Sequence, residues 1–310
     1  METLKMWKPD ICVYHGGCDD GFGAAWFVRR TFGDSVTFAP AGYGAPISWP
    51  VDLHGKNVLF VDFSLKREQM IELSNGGLTG CVPASIVVLD HHKTAEAELK
   101  QWDIGPVHDF SYASLDEHLA LAEMEQAYRI VAHFDMSSSG AVMAWQMFSG
   151  EYDGQMPPPS MLALIEDRDL WRFAYSRTKR FSAALRTYPQ EFAVWDILAG
   201  RVDQLVEEGE AILRGHEKNI GEFCRHAYKM DIGGYSVPVV NVPYHYASDT
   251  ANALLAAYPD APFAACWFQV ADGKRQFSLR SEDGRVDVSQ VAKQLGGGGH
   301  RNAAGFNVAA

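Results

Sequence analysis

The chain has 310 residues, of which 47% are hydrophobic and 21% charged, a length that favours two domains and a composition typical of a globular protein. No apolar run approaches the roughly 20 residues of a membrane span, and the opening METLKMWKPDICVYH lacks a signal-peptide core, so a cytoplasmic protein is expected. The net charge is −12, with 7 acids and 6 bases in residues 231–310 and 32 acids and 21 bases before them; such an acidic body argues against tracking long nucleic acid and suits divalent cations, or is simply a solvated surface.

In chain order, ICVYH (11–15), VTFAPA (36–41), VLFVDF (58–63), SIVVLD (85–90) and RIVAHFD (129–135) are predicted to be buried strands. The segments between them, such as DGFGAAWFVRRTF and KREQMIELSN, have helical spacing, which is the βαβ signature of a parallel sheet. From about residue 158 the pattern becomes helical, with PPSMLALIEDRDLWRF, FAVWDILAG and the long VDQLVEEGEAILRGHEKNIGEFCRHAYKM, the last a connector between domains. The remainder is a small α+β unit: YSVPVVNVP as a strand, DTANALLAAY as a helix, a hairpin turning at Asp272-Gly273, and DVSQVAKQL as a helix before GGGGHRNAAGF. The expected fold is therefore α/β, with a mostly parallel N-terminal sheet flanked by helices over 1–190, a helical connector over 191–230 and a smaller α+β domain over 231–310.

The five cysteines, Cys12, Cys18, Cys81, Cys224 and Cys266, are odd in number and form no CxxC pair, which favours reduced thiols over a disulfide framework or a structural zinc site. The polar groups that matter collect at strand ends. His15, Asp62 and Asp90 each sit at or near the carboxyl end of an apolar run, where open α/β sheets bind their ligands. A lone histidine at a strand end is usually structural; here Asp90, His91 and His92 follow one another on a chain that already places His15 and Asp62 at neighbouring ends. Carboxylates with a minority of imidazoles and no thiolate favour manganese or magnesium. Asp19, Asp20, Asp62, His15 and His91, with one more acid, have the composition to hold two ions that share a bridging carboxylate, the arrangement that clamps both oxygens of a phosphoryl displacement.

The ordered set HGGCDDG, VDFS, LDHH, EDRDLW and GGGGHRNAAGF resembles the DHH phosphoesterase superfamily, in the branch with the DHH-associated C-terminal domain that includes nanoRNases, oligoribonucleases and exopolyphosphatase-like proteins. The resemblance spans nearly the whole chain. It implies that His15 and Asp19 ligate one metal, that Asp62 bridges two, and that His91 and Asp167 complete the second. It also implies that Asp90 orients an imidazole, that His92 faces the scissile phosphate as donor or general acid, and that Arg168 helps stabilise charge. Many members have aspartates four and six positions after the histidine, whereas here Asp19 is fourth, Asp20 fifth and Gly21 sixth. Some relatives carry a cysteine and a single Asp-Gly, which would make Asp20 the ligand, so both aspartates stay candidates. Asp167 also has a structural reading, as a helix-surface acid paired with Arg168 or Arg172.

At the C-terminus, Gly296 to Gly299 would let backbone N–H groups approach an anion, since no Cβ blocks access. A glycine run by itself is more often a linker. Followed by HRNAAGF, it resembles the family's substrate-gripping motif, with Gly298, Gly299, His300, Arg301 and Asn302 holding the non-scissile part of a nucleotide and Arg280 pairing with a phosphate or carboxylate. In SSSGAVMAW (137–145), Ser138 and Ser139 would serve either a phosphate or a helix cap. In NVPYHYASD (241–249), Tyr244, His245 and Tyr246 are core aromatics or a stacking surface.

The expected activity is that of a phosphoric ester hydrolase using two Mn²⁺ or Mg²⁺ ions. Its expected substrates are short oligonucleotides, linear or cyclic dinucleotides, or 3′-phosphonucleotides. Exopolyphosphatase or single-strand exonuclease activity is the enzymatic alternative, and a catalytically silent nucleotide-binding protein the alternative of another class.

Overall fold

The structure is a computed structural model and describes residues 7–43, 47–49, 51–105, 114–126, 128–149 and 156–309. The chain divides into two compact units, Met1–Gly209 and Glu210–Ala310.

In the first unit, β1 (Ile11–His15) leads into α1 (Asp19–Phe32) and β2 (Thr37–Ala41). Then follow β3 (Asn57–Val61), α2 (Arg67–Ser74), β4 (Ser85–Asp90), α3 (Lys93–Leu99), α4 (Leu115–Gln126) and β5 (Ile130–Phe134). The five strands form one sheet in the order β2-β1-β3-β4-β5, with every pair parallel. The five apolar runs of the sequence are these five strands.

Because side chains alternate across a strand, successive residues feed two separate cores. Cys12, Leu59, Val61, Val87, Leu89 and Val131 join one, with Phe22 and Trp26 of α1; Ile11, Val13, Val58, Phe60, Ile86 and Val88 join the other, with Met70 and Leu73 of α2. Burial on both faces is what lets parallel strands read as near-continuous apolar runs.

A helical layer completes this unit: α5 (Gly140–Ser149), α6 (Ser160–Asp169), α7 (Thr178–Leu185), α8 (Phe192–Ala199) and the start of α9 (Val202–Cys224). The segment read as a connector is not separate from the core. Trp195 and Leu198 of α8 and Leu205 of α9 are buried with the sheet helices, and the division between units falls inside α9.

In the second unit, β6 (Tyr228–Ile232), β7 (Tyr235–Asn241), α10 (Ala247–Ala257), β8 (Ala264–Gln269), β9 (Arg275–Arg280), α11 (Val288–Gln294), β10 (Gly298–Gly299) and β11 (Ala303–Val308) follow. The strands run β10-β11-β9-β8-β7-β6, antiparallel except for the β7–β8 pair. The expected hairpin is present as β8 and β9, with Gly273 at φ 87° in its turn. One element departs from the sequence reading: α9 stops at Cys224, and residues 228–230, read as the end of the helix, belong to strand β6, which pairs with β7. Among the described residues no helix is long and apolar enough to cross a membrane, and all five cysteines are free thiols.

Candidate metal centre

The strand order reverses between β1 and β3, and that switch point is where an open α/β sheet leaves a crevice beyond its carboxyl ends. His15 is the last residue of β1, Asp62 follows β3, and Asp90, His91 and His92 close β4. The topology alone therefore brings these residues together.

Asp62 is the centre of the group. It is 1% exposed, and its backbone is in the left-handed region at φ 52°, a conformation that costs a non-glycine residue on the order of 1–3 kcal/mol. Its amide donates to the Leu89 carbonyl at 2.9 Å. Asp62 Oδ1 lies 3.0 Å from His91 Nε2, and Oδ2 lies 3.5 Å from His15 Nδ1 and accepts no hydrogen bond although it is buried. Two donor triads consequently share Asp62: His15, Asp62 and His92, and Asp20, Asp62 and His91, the ligand atoms of each lying within 4.8 Å of one another.

Of the two neighbouring aspartates at the start of α1, Asp20 enters the cluster and Asp19 does not. One residue turns a helix by about 100°. Asp20 is buried with Oδ2 3.5 Å from His91 Nε2, whereas Asp19 faces outward and pairs with Arg186 at 3.2 Å. The N–H groups of Gly140 and Ala141 at the start of α5 donate to the Asp20 carboxylate at 2.6 and 3.0 Å. That helix N-terminus thus serves a carboxylate, and Ser139, whose amide donates to Glu166, is part of the same join. A Cβ on Gly140 would come within 2.6 Å of the Asp62 Cβ, so glycine is required there. A Cβ on Gly21 would lie 2.4 Å from the His15 carbonyl oxygen. Position 21 therefore has no room for a side chain in this chain.

The EDRD segment corrects one expectation. Asp167 points away from the cluster: its carboxylate accepts from the amides of Ala174 (2.8 Å) and Tyr175 (3.2 Å) and from the Thr178 hydroxyl. Its carbonyl accepts from Arg172 and Phe173 at 2.9 and 3.2 Å. These five bonds staple the loop after α6, in which Trp171 and Phe173 are held at φ 57° and 49°. Asp169, two residues on, is the acid that reaches the site, with Oδ2 3.6 Å from His91 Nε2. The Arg172 guanidinium pairs with Glu166 at 3.0 Å. That of Arg168 lies 4.2 Å from the centre of the Trp171 ring and 5.4 Å from that of Phe173.

Asp90 is fully buried and organises the histidines without joining either triad. Its Oδ1 lies 2.7 Å from His92 Nδ1 and accepts the amides of His91 and His92, while Oδ2 accepts from the Ser64 hydroxyl. This fixes the His92 ring with Nδ1 toward the carboxylate.

The electrostatics reflect how many acids the cluster buries together. Burial, reinforced by the charges of Asp62 and Asp169, pushes the Asp20 carboxyl well above the usual carboxylate range. Burial also raises Asp169, with Asp62 adding to it and His91 opposing. For Asp62 burial is the largest influence, yet the adjacent imidazoles of His15 and His91 outweigh it and hold the carboxyl well below its ordinary value. His91 is pushed up to about 10, because Asp62, Asp169 and Asp20 overcome the opposing effect of burial. Several buried carboxylates thus compete for the charge of a few imidazoles. A divalent cation relieves that competition, and the oxygen-rich donor set with histidine and an unbonded Asp62 oxygen fits Mn²⁺ or Mg²⁺.

In the second unit the glycine-rich segment is tied into the sheet. Gly298 and Gly299 pair with Gly305 and Ala304 of β11. A Cβ on Gly297 would lie 1.9 Å from the Gly305 carbonyl oxygen, and Gly299 has φ 137°. Arg301 donates to the Arg285 carbonyl at 3.2 Å and lies 3.7 Å from both Asp283 and Asp287. Asn302 donates to Asp283 at 2.9 Å, the His300 amide to the Ala303 carbonyl at 2.7 Å, and Arg280 to the Ser248 hydroxyl at 2.5 Å. Tyr246 stacks on His216 with ring centres 4.7 Å apart, and Tyr244 is 59% exposed.

Residues 243–310 match the DHHA1 domain family. A curated relative, the uncharacterized protein R106 of Acanthamoeba polyphaga mimivirus, is 28% identical over 319 residues, covering 96% of this chain and 67% of its own length. Among solved structures, the DHH domain of a protein grouped with a family of ribosomal proteins superposes with a TM-score of 0.55 at 14% identity, over 96% of this chain and 82% of the other, which shows a shared fold. A pGpG-specific phosphodiesterase from Vibrio cholerae aligns over 96% of this chain and 93% of its own at 11% identity and a TM-score of 0.44.

Proposed function

We propose that the chain is a DHH-superfamily member and a divalent-metal-dependent phosphoesterase whose substrates are small nucleotides: short oligonucleotides, linear or cyclic dinucleotides, or 3′-phosphonucleotides; the DHHA1 match over residues 243–310 and the shared fold of the DHH-domain neighbour support this reading. The observation that carries this reading is the sharing of Asp62 by two donor triads at the β1/β3 switch point. His15, Asp62 and His92 would hold one ion, and Asp20, Asp62, His91 and Asp169 the other. Mn²⁺ is the preferred ion on the donor set. When bound, such a pair of ions supplies a water acidic enough to attack near neutral pH and positive charge for the attacking and leaving oxygens.

The chain's own residues do the rest. Asp62 has its strained backbone conformation imposed by the surrounding sheet, so its two oxygens face opposite triads without reorganisation. Asp90 holds the His92 ring through Nδ1 and so presents Nε2 as the nitrogen that would ligate the first ion. Arg168, held on Trp171 and Phe173, is a positive charge adjacent in sequence to Asp169. In the DHHA1 unit, Arg280, Gly298, Gly299, His300, Arg301 and Asn302 would grip the part of the substrate that is not cleaved. Arg301 would have to exchange the Asp283 and Asp287 carboxylates for a phosphate.

The test is Mn²⁺-dependent hydrolysis across a matched panel of linear and cyclic dinucleotides, a short oligonucleotide, a 3′,5′-bisphosphonucleotide and polyphosphate. Cleavage of one nucleotide class supports the proposal and names the substrate. Cleavage of polyphosphate alone contradicts it, as does silence across the panel in protein shown to hold its metal.

A further inference from the structure

The phosphoesterase reading leaves one residue beside the cluster unused. Tyr43 follows β2, the strand next to β1, and its side chain stands against the first triad. Its ring centre is 5.5 Å from that of His15 and 5.7 Å from that of His92, each at an interplanar angle of 68°, and 4.8 Å from that of Phe63. The residue is nevertheless 52% exposed, in contrast to Phe63 at 3%.

An aromatic side chain set beside three neighbouring rings, with about half its surface in solvent, has little rotamer freedom left to lose. What it offers beside the candidate metal centre is a π-surface. A polyphosphate chain gains nothing from such a surface, since its anionic oxygens need cations along their path. A nucleobase does gain, because every base has a π-face and stacking on a side chain does not depend on its sequence.

We infer that Tyr43 is the stacking platform for the base of the nucleotide whose phosphate occupies the metal centre, so that the site selects base-bearing phosphate esters over base-free ones. This rests on the phosphoesterase reading for the placement of the phosphate, and it deepens that reading by naming what recognises the nucleoside.

The test is equilibrium binding by calorimetry to the full chain loaded with Mn²⁺, using adenosine 5′- and 3′-monophosphate against ribose 5-phosphate. The wild-type protein is expected to bind at least one adenosine monophosphate roughly tenfold more tightly than ribose 5-phosphate. Tyr43→Ala should remove that difference and leave the ribose 5-phosphate affinity unchanged, while Tyr43→Trp should keep it. Tyr43→Leu, which retains apolar bulk against Phe63, replaces the alanine variant if that one unfolds at lower temperature. Equal binding of the three ligands by the wild type would overturn the inference. So would an equal loss for all of them in the variants, because Tyr43 would then only hold His15 and His92 in place. Failure of the phosphoesterase reading is seen separately, as absence of turnover on the panel above, and leaves the adenosine preference to be read by itself.

Discussion

The candidate metal centre and the glycine-rich terminus are both dense in polar residues, and they are built on opposite principles. Around Arg301 and Asn302 the side-chain N–H donors have a carboxylate or a carbonyl within their own unit, while Asn302 Oδ1 is buried without a hydrogen bond, and Gly297 to Gly299 are explained by strand pairing and close packing. Around Asp62, acids are buried against acids, and the backbone itself is strained. Such an arrangement persists only when the surrounding fold over-determines it, and it is characteristic of sites that await a ligand. A motif in sequence does not distinguish the two cases; the balance of charge in the folded chain does.

The largest expected effect tests the strained side of that contrast. Asp62→Ala should abolish metal-dependent turnover, by at least roughly a thousandfold, with an unchanged circular dichroism spectrum, because both triads lose their common member. Metal-dependent turnover surviving in that variant would remove Asp62 from its bridging role.

A paired substitution then separates the two acids of EDRD. Asp169→Asn should weaken Mn²⁺ binding at least as much as the roughly 10–100-fold typical of losing an outer partner of a ligand, while the ion-free protein keeps or gains stability, since a raised carboxyl is removed from an acidic site. Asp167→Asn should act the other way, lowering unfolding stability by about 2–3 kcal/mol through the lost bonds to Ala174, Tyr175 and Thr178. Urea unfolding with and without Mn²⁺ reads both, and interchange of the two phenotypes would reverse the assignment.

The charge imbalance also has a sign in pH. With His91 pushed up to about 10 in the ion-free protein, its imidazole carries a proton at about pH 8 and must shed it to ligate. Mn²⁺ binding should therefore release protons at about pH 8 and tighten as pH rises toward about 10. Calorimetry in two buffers of different ionisation enthalpy measures this, and identical heats would contradict it. The smallest effect belongs to the satisfied region: Arg301→Ala should raise KM several-fold with kcat unchanged and shift stability by under about 1 kcal/mol, as its carboxylate partners lie at 3.7 Å near the surface.

The sheet and the assembly of His15, Asp62, Asp90, His91 and His92 were legible because strands buried on both faces leave continuous apolar runs, and polar residues at their ends have one place to go. Choices between near neighbours were not. Asp20 over Asp19 depends on the rotation of α1, and Asp169 over Asp167 depends on where α6 ends and how the loop through Trp171 and Phe173 is held. Strand β6 was hidden because YKMDI follows a long amphipathic helix with no glycine or proline between. Tyr43 belongs to no motif; its one signal was an aromatic residue just past the carboxyl end of a predicted strand beside β1.

Asp62 serving two ions at once is the central claim, and the stoichiometry of Mn²⁺ bound per chain tests it most directly. Two ions in the wild type and loss of both in Asp62→Asn are predicted. One ion or none in the wild type, or two retained in the variant, would contradict it.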